Sequence, residues 1–284
     1  MTMLTENPRM RLVGECLRQH RVAAGWSLGD AARVLECHVS KVSRIETGER
    51  GVRGKELREL MAEYGADPET VQTLEALARY GHRAGGWWTD YDKVLPGPYL
   101  ELAAAEASAS AAAVYAPFQV PELLQVPDYA SVVAAAGLCV PHEHERALAD
   151  AVRARQRVVL AERGLPLEVV LGEATLRSKA GGPLVMRAQL AHLADTAENS
   201  GHVTIRLLPF TTGPSALGGG GEFTVLRFGP ADLGLVHLAD PSGGLYPAGM
   251  QAVTGYLRAF EHLRAHALNP EQSARRLRDL AKAR

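Results

Sequence analysis

Residues 26–48, Trp-Ser-Leu-Gly-Asp-Ala-Ala-Arg-Val-Leu-Glu-Cys-His-Val-Ser-Lys-Val-Ser-Arg-Ile-Glu-Thr-Gly, constrain this chain most, because they describe two short amphipathic helices joined by a tight turn. Ser27 is a good N-cap, since its hydroxyl can accept from an orphan N–H at a helix start. Leu28, Ala31, Ala32 and Leu35 recur at helical spacing and form one apolar stripe. Glu36 to His38 is read as the turn. In the second helix Val42 and Ile45, with Cys37 before them, face the core, which leaves Val39, Ser40, Lys41, Ser43 and Arg44 pointing outward or sideways. Gly48 ends that helix, where a left-handed residue costs little. A DNA major groove admits one α-helix presenting short polar groups and an arginine, the arrangement of a helix-turn-helix recognition helix. Any helical hairpin shares the apolar pattern, so periodicity alone leaves DNA binding and plain packing both open.

Charge separates the two only weakly. The whole chain carries a net charge of −1, which argues against a non-specific nucleic-acid coat. Residues 1–60 hold eleven Lys/Arg against eight Asp/Glu, a local excess of three positive charges. Arg44, Arg50, Arg53 and Lys55 gather at and just after the second helix, where phosphate contacts would lie. A solvated helix face would have the same composition.

At 284 residues the chain has room for two domains. Residues 1–80 read as a helical domain of five helices, at 9–24, 27–35, 39–47, 54–64 and 68–80, punctuated by Gly25, the Gly48–Gly54 segment, Gly65 and Pro68. Residues 81–97 read as a linker, with Gly81–Gly86 as a hinge and Trp87-Trp88 as an anchor onto a second domain. Residues 98–284 read as that domain, an α+β unit with a small sheet. Helices are expected at 98–115, 128–136, 142–163, 183–199, 247–267 and 270–282, and strands at 167–172, 203–208, 222–228 and 233–239. Gly218–Gly221 reads as a loop between strands. No apolar run approaches the ~20 residues that span a bilayer. The start of the chain lacks the apolar segment of a signal peptide. Cys16, Cys37 and Cys139 are scattered without metal-ligand spacing, as suits a reducing, cytoplasmic setting.

The run Ser-Lys-Val-Ser-Arg-Ile-Glu-Thr-Gly-Glu-Arg at 40–50 resembles the recognition helix and following turn of the phage-repressor-like (Xre) family, and Leu12–Arg21 resembles that family's first helix. Two positions depart from it. Leu28 stands where Gln is common, removing a usual backbone-clamping contact, and Glu36 stands where Gly is favoured, so the turn must tolerate a side chain. The second domain contains phrases that belong together: Tyr115–Tyr129, Arg153–Arg157, Gly172–Arg177 with Gly182–Leu190, Val203–Phe210, Phe223–Phe228 and Gly243–Tyr246. In this order, after such a helix-turn-helix and a Gly-Trp-Trp linker, the chain resembles the antitoxin-like transcriptional regulators abundant in high-GC Gram-positive bacteria. The resemblance implies a regulator that binds double-stranded DNA and whose C-terminal domain engages a small protein encoded next to it. It supplies no catalytic or ligand residues.

The DNA-facing candidates are therefore Ser27, His38, Val39, Ser40, Lys41, Ser43, Arg44, Arg50 and Arg53. In the second domain Arg153, Arg157 and Glu173 are the candidate partner- or ligand-binding residues. A carboxylate at a strand end facing an arginine-rich helix makes either a pocket or an internal salt bridge. No metal or cofactor is expected: His142 and His144 are two apart and do not converge on a helix, and Gly218–Gly221 lacks the Lys-Ser/Thr of a phosphate loop. No Gly-x-Ser-x-Gly elbow is present either, so an enzyme is not expected. Three hypotheses stand: a homodimeric DNA-binding regulator whose second domain holds a protein, the same regulator with a small-molecule sensor, and an enzyme with an accessory DNA domain.

Overall fold

The computed structural model describes residues 7–79, 86–136, 142–212, 221–229, 233–240, 243–247 and 249–283. Most of the Gly81–Gly86 hinge, Cys139 and Gly218–Gly220 lie outside them.

The N-terminal unit consists of α1 (Pro8–Ala23), α2 (Leu28–Val34), α3 (Val39–Glu46), α4 (Gly54–Glu63) and α5 (Pro68–Arg79). Local chemistry sets these boundaries. Asn7 caps α1, accepting from the N–H groups of Arg9 and Met10, and Ser27 with Asp30 forms a reciprocal capping box on α2. The turn between α2 and α3 places Glu36 at φ +47°, the only non-glycine residue with positive φ among the described residues. The side chain at that position is thus tolerated against the usual steric cost.

A short helical turn, Trp87–Tyr91, comes next, and Trp88 is buried against Ala103 and Ala104 of α6 (Gly97–Glu106). The anchoring role expected of the tryptophan pair is realised there. The second unit continues with β1 (Ala111–Ala116), α7 (Pro127–Ala136), α8 (Glu145–Gln156), β2 (Leu167–Gly172), α9 (Glu173–Arg177), α10 (Gly182–Asn199), β3 (Val203–Leu208), β4 (Phe223–Phe228), β5 (Leu233–Leu238), α11 (Met250–His266) and α12 (Pro270–Lys282). The architecture is a helical helix-turn-helix unit followed by an α+β domain, as the sequence indicates.

The five strands form one mixed sheet in the order β3-β2-β1-β4-β5. β1, β2 and β3 run parallel, with Val114 opposite Val169 and Val169 opposite Ile205. β4 and β5 run antiparallel to their neighbours, with Tyr115 opposite Phe223 and Val225 opposite Val236. One face, with Tyr115, Val170, Phe223 and Val225, is covered by Val253, Phe260 and Leu263 of α11. The opposite face, with Val114, Val169, Ile205 and Leu226, joins α10, α12 and the apolar interior of the helical unit in one continuous core.

Two expectations are corrected. The Ala-rich stretch 98–115 is not one helix: α6 stops at Glu106 and Ala111–Ala116 is the central strand. Alanine favours helix intrinsically, but this segment pairs on both edges, and that tertiary pairing overrides propensity. The helix expected at 142–163 is interrupted, because α8 passes into a π-helical turn over Arg157–Glu162.

Candidate nucleic-acid interface

Helix α3 is fixed on its inner side by apolar packing and by one buried ion pair. Val42 and Ile45 are each 1% exposed. Arg21 of α1 grips Glu46 through Nε–Oε1 at 2.6 Å and Nη2–Oε2 at 2.9 Å, and its Nη1 donates to the Trp26 carbonyl at 2.7 Å. Such a two-pronged guanidinium–carboxylate contact fixes direction as well as distance. The helices also approach closely at Gly14, where a Cβ would collide with the carbonyl oxygens of Ile45 and Glu46. Arg21, Glu46 and Gly14 escaped the sequence reading; the one available signal was a charged residue on each of two apolar faces.

With that face locked, the opposite one is presented to solvent. Val39, Ser40 and Arg44 are exposed, and Ser43 is half-buried beside them. The Arg44 side chain is 59% exposed, and its ionic neighbour, Glu49, is 3.6 Å away and itself exposed. His38 is the N-cap of α3: its Nδ1 accepts from the Ser40 backbone N–H at 3.3 Å and lies 2.9 Å from the Ser40 hydroxyl. Arg50 and Arg53 are exposed beyond the helix end, Arg53 as the residue preceding α4. Ser27 is exposed at the start of α2, with its hydroxyl donating to Asp30 at 2.6 Å.

Lys41 is placed differently from its neighbours. Its Nζ donates to Glu56 Oε1 at 2.7 Å, and its side chain is only 21% exposed. Burial opposes the charge on Glu56, but the hydrogen bonds from Lys41 and the Arg53 backbone N–H, together with the charges of those two residues, outweigh it and hold that carboxyl below its usual range. Lys41 therefore ties α3 to α4.

In the second domain the three candidate residues do not converge. Arg153 pairs with Asp150 and Arg157 with Glu162, both on the surface. Glu173 instead accepts from the Phe210 backbone N–H at 3.0 Å and from Arg177 at 2.6 Å, and those bonds hold its carboxyl below the usual range. The expected link between Glu173 and the Arg153–Arg157 helix is absent, because α9 supplies a nearer arginine. The arginine that matters in that helix is Arg155, which is buried. It binds both oxygens of Glu106 at 2.7 Å and Glu122 at 2.5 Å, and lies 5.6 Å from the Tyr99 ring centroid. This cluster joins α6, α8 and the segment after β1. Among the described residues no group of His, Cys, Asp and Glu is arranged to hold a metal ion.

A seated α3 with an outward face of short polar side chains and one exposed arginine is the working part of a helix-turn-helix, and residues 12–74 match the family model described as Helix-turn-helix domain. The fold and this match define a DNA-binding regulator of the helix-turn-helix class. Residues 99–279, more than half of the chain, match the model described as Domain of unknown function (DUF5753), and the chain belongs to that family. Neither a curated protein nor a solved structure matches the chain. Among the described residues no helix is long and apolar enough to cross a membrane.

Proposed function

We propose that this chain is a sequence-specific, antitoxin-like transcriptional regulator of the Xre type, acting in the cytoplasm as a homodimer. In this reading Val39, Ser40, Ser43 and Arg44 meet base edges, while Ser27, His38, Arg50 and Arg53 meet the phosphate backbone. Lys41 contributes by holding α3 against α4. The observation that carries the proposal is the asymmetry of α3, with Val42, Ile45 and Glu46 locked inside and Ser40 and Arg44 left outside. One such helix covers only a few base pairs, so useful specificity calls for two copies on half-sites about one helical turn apart.

The second domain, in the same proposal, holds a small protein encoded beside this one. Phe118 after β1 and Phe210 after β3 are 70% and 61% exposed, at the same end of parallel strands, and Arg177 lies 5.9 Å from the Phe210 ring. Exposed aromatic rings beside an arginine are the residue types that anchor interfaces. The alternative, a second domain that senses a small molecule, is favoured by a cavity between α1 and β5.

Selection from a random duplex library tests the DNA reading. The native chain is expected to enrich a two-fold symmetric motif, and Arg44→Ala is expected to lose it. Enrichment no better than the input library would refute the proposal. Co-purification with the product of the adjacent reading frame, lost in a Phe118→Asp/Phe210→Asp double variant, tests the partner.

A further inference from the structure

Helix α1 does not lie flush on the second domain. Between it and β5 is a cleft of about 690 Å³, bordered by the start of α11. The volume falls within the usual range for small-molecule sites, ~300–1,000 Å³. Its apolar wall comes from both units: Leu12 and Val22 on α1, Leu235 on β5 and Val253 on α11. Val22 is 60% exposed, whereas Leu12, Val13, Cys16 and Leu17 on the same helix are buried. Thr47, the residue that closes α3, also borders the space.

The charged groups around the cleft are unequal. Arg11 also lines the cleft and is engaged, Glu46 is consumed by Arg21, and Glu15 accepts from Gln19. Arg18 is exposed, lines the cleft, and has no side-chain partner among the described residues. An apolar wall with one unengaged guanidinium at its rim is complementary to a molecule with an apolar body and an anionic head.

We infer that this cleft is a binding site for a small amphipathic anion, such as a medium-chain or aryl carboxylate, with its body on Leu12, Val22, Leu235 and Val253 and its carboxylate on Arg18. Each half of the site belongs to a different unit, so neither unit alone forms it. The site stands whether or not α3 reads DNA, although an occupant would touch both the helical unit and the sheet.

Titration calorimetry of the full chain with decanoate, and separately with its neutral isostere decanamide, tests the assignment. Decanoate is expected to bind saturably at one site and more tightly than decanamide. Arg18→Gln should weaken decanoate by about fivefold or more and leave decanamide unchanged, as loss of a charge-assisted contact requires. Arg18→Lys should recover part of the affinity. Val22→Asp, at an exposed position, should weaken both compounds while leaving the unfolding midpoint near that of the native chain. Absence of saturable decanoate binding, equal affinity for the two compounds, or an Arg18→Gln variant that binds decanoate like the native chain would each overturn the proposal.

Discussion

Arg9 donates from both Nε and Nη2 to one carboxylate oxygen of Glu101, at 3.1 and 3.0 Å, while Asn7 donates to the other oxygen at 3.0 Å. Arg9 lies in the first turn of α1 and is 2% exposed; Glu101 lies in the middle of α6. The helical unit is therefore fastened to the second domain through side chains far apart in sequence.

Glu101→Ala should leave the Arg9 guanidinium buried without its carboxylate. Breaking one side of a buried pair costs ~3–5 kcal/mol, and partial exposure of Glu101 places the expected loss at the lower end. Thermal unfolding should show the drop, and Arg9→Met, which removes the buried charge while keeping much of its volume, should lose less.

Arg44→Ala should weaken specific DNA binding about tenfold or more, since a two-pronged guanine contact is worth ~1–3 kcal/mol of discrimination. Its side chain is exposed, so the unfolding midpoint should stay within about a degree. Fluorescence anisotropy on the selected duplex measures the first quantity. Unchanged affinity removes Arg44 from the interface.

Glu36→Gly should stabilise the chain. An L-residue in the left-handed region costs ~1–2 kcal/mol, against ~0.5–1 kcal/mol of extra chain entropy that glycine loses on folding. The net gain should raise the unfolding midpoint by about one or two degrees, roughly what ~0.5–1 kcal/mol produces in a chain of this size. A lower midpoint would show that the glutamate makes a compensating contact.

Two groups near Arg155 give opposing pH dependences. Burial, reinforced by the charge of Glu122, pushes the Glu222 carboxyl up to about 7. The folded chain then holds a proton that the unfolded chain has released, so this group's contribution falls as pH rises from about 4.5 to 7. Burial pushes His237 down to about 4, so there the unfolded chain binds the extra proton and stability rises between about 4 and 6.5. The two largely offset each other in the native chain. Glu222→Gln should unmask a rise in stability with pH across that window, and His237→Asn a fall. Parallel curves for all three proteins in denaturant titrations would refute the assignment.

The sequence was most legible where structure is local. The five N-terminal helices and α12, which starts at Pro270 behind its Asn269 cap, follow from caps, glycines and periodicity within a few residues. β1 was illegible because Ala-Ala-Ala-Val-Tyr-Ala takes its identity from β2 and β4 on either side. Ion-pair partners were illegible for the same reason. Composition placed arginines on α8, but only the fold chooses Arg155 over Arg153 and Arg157 and gives it Glu106. On α3 the apolar pattern identified the outward face, while the diversion of Lys41 to Glu56 depends on where α4 sits.

Leu12 of α1 and Leu235 of β5 belong to one apolar core, and β5 is the last of the five strands to leave the ribosome. A growing chain completes α1 to α5, whose contacts are short-range and form quickly, long before residues 233–238 exist. Until then Leu12 on α1 lacks its neighbour from the last strand. The central pairing of β1 with β2 must also wait for α7 and α8 to be made, and that of β1 with β4 waits longer still. The nascent protein thus holds a finished helical head on an unfinished body, and a chaperone that shields apolar helix surfaces has a defined interval in which to act.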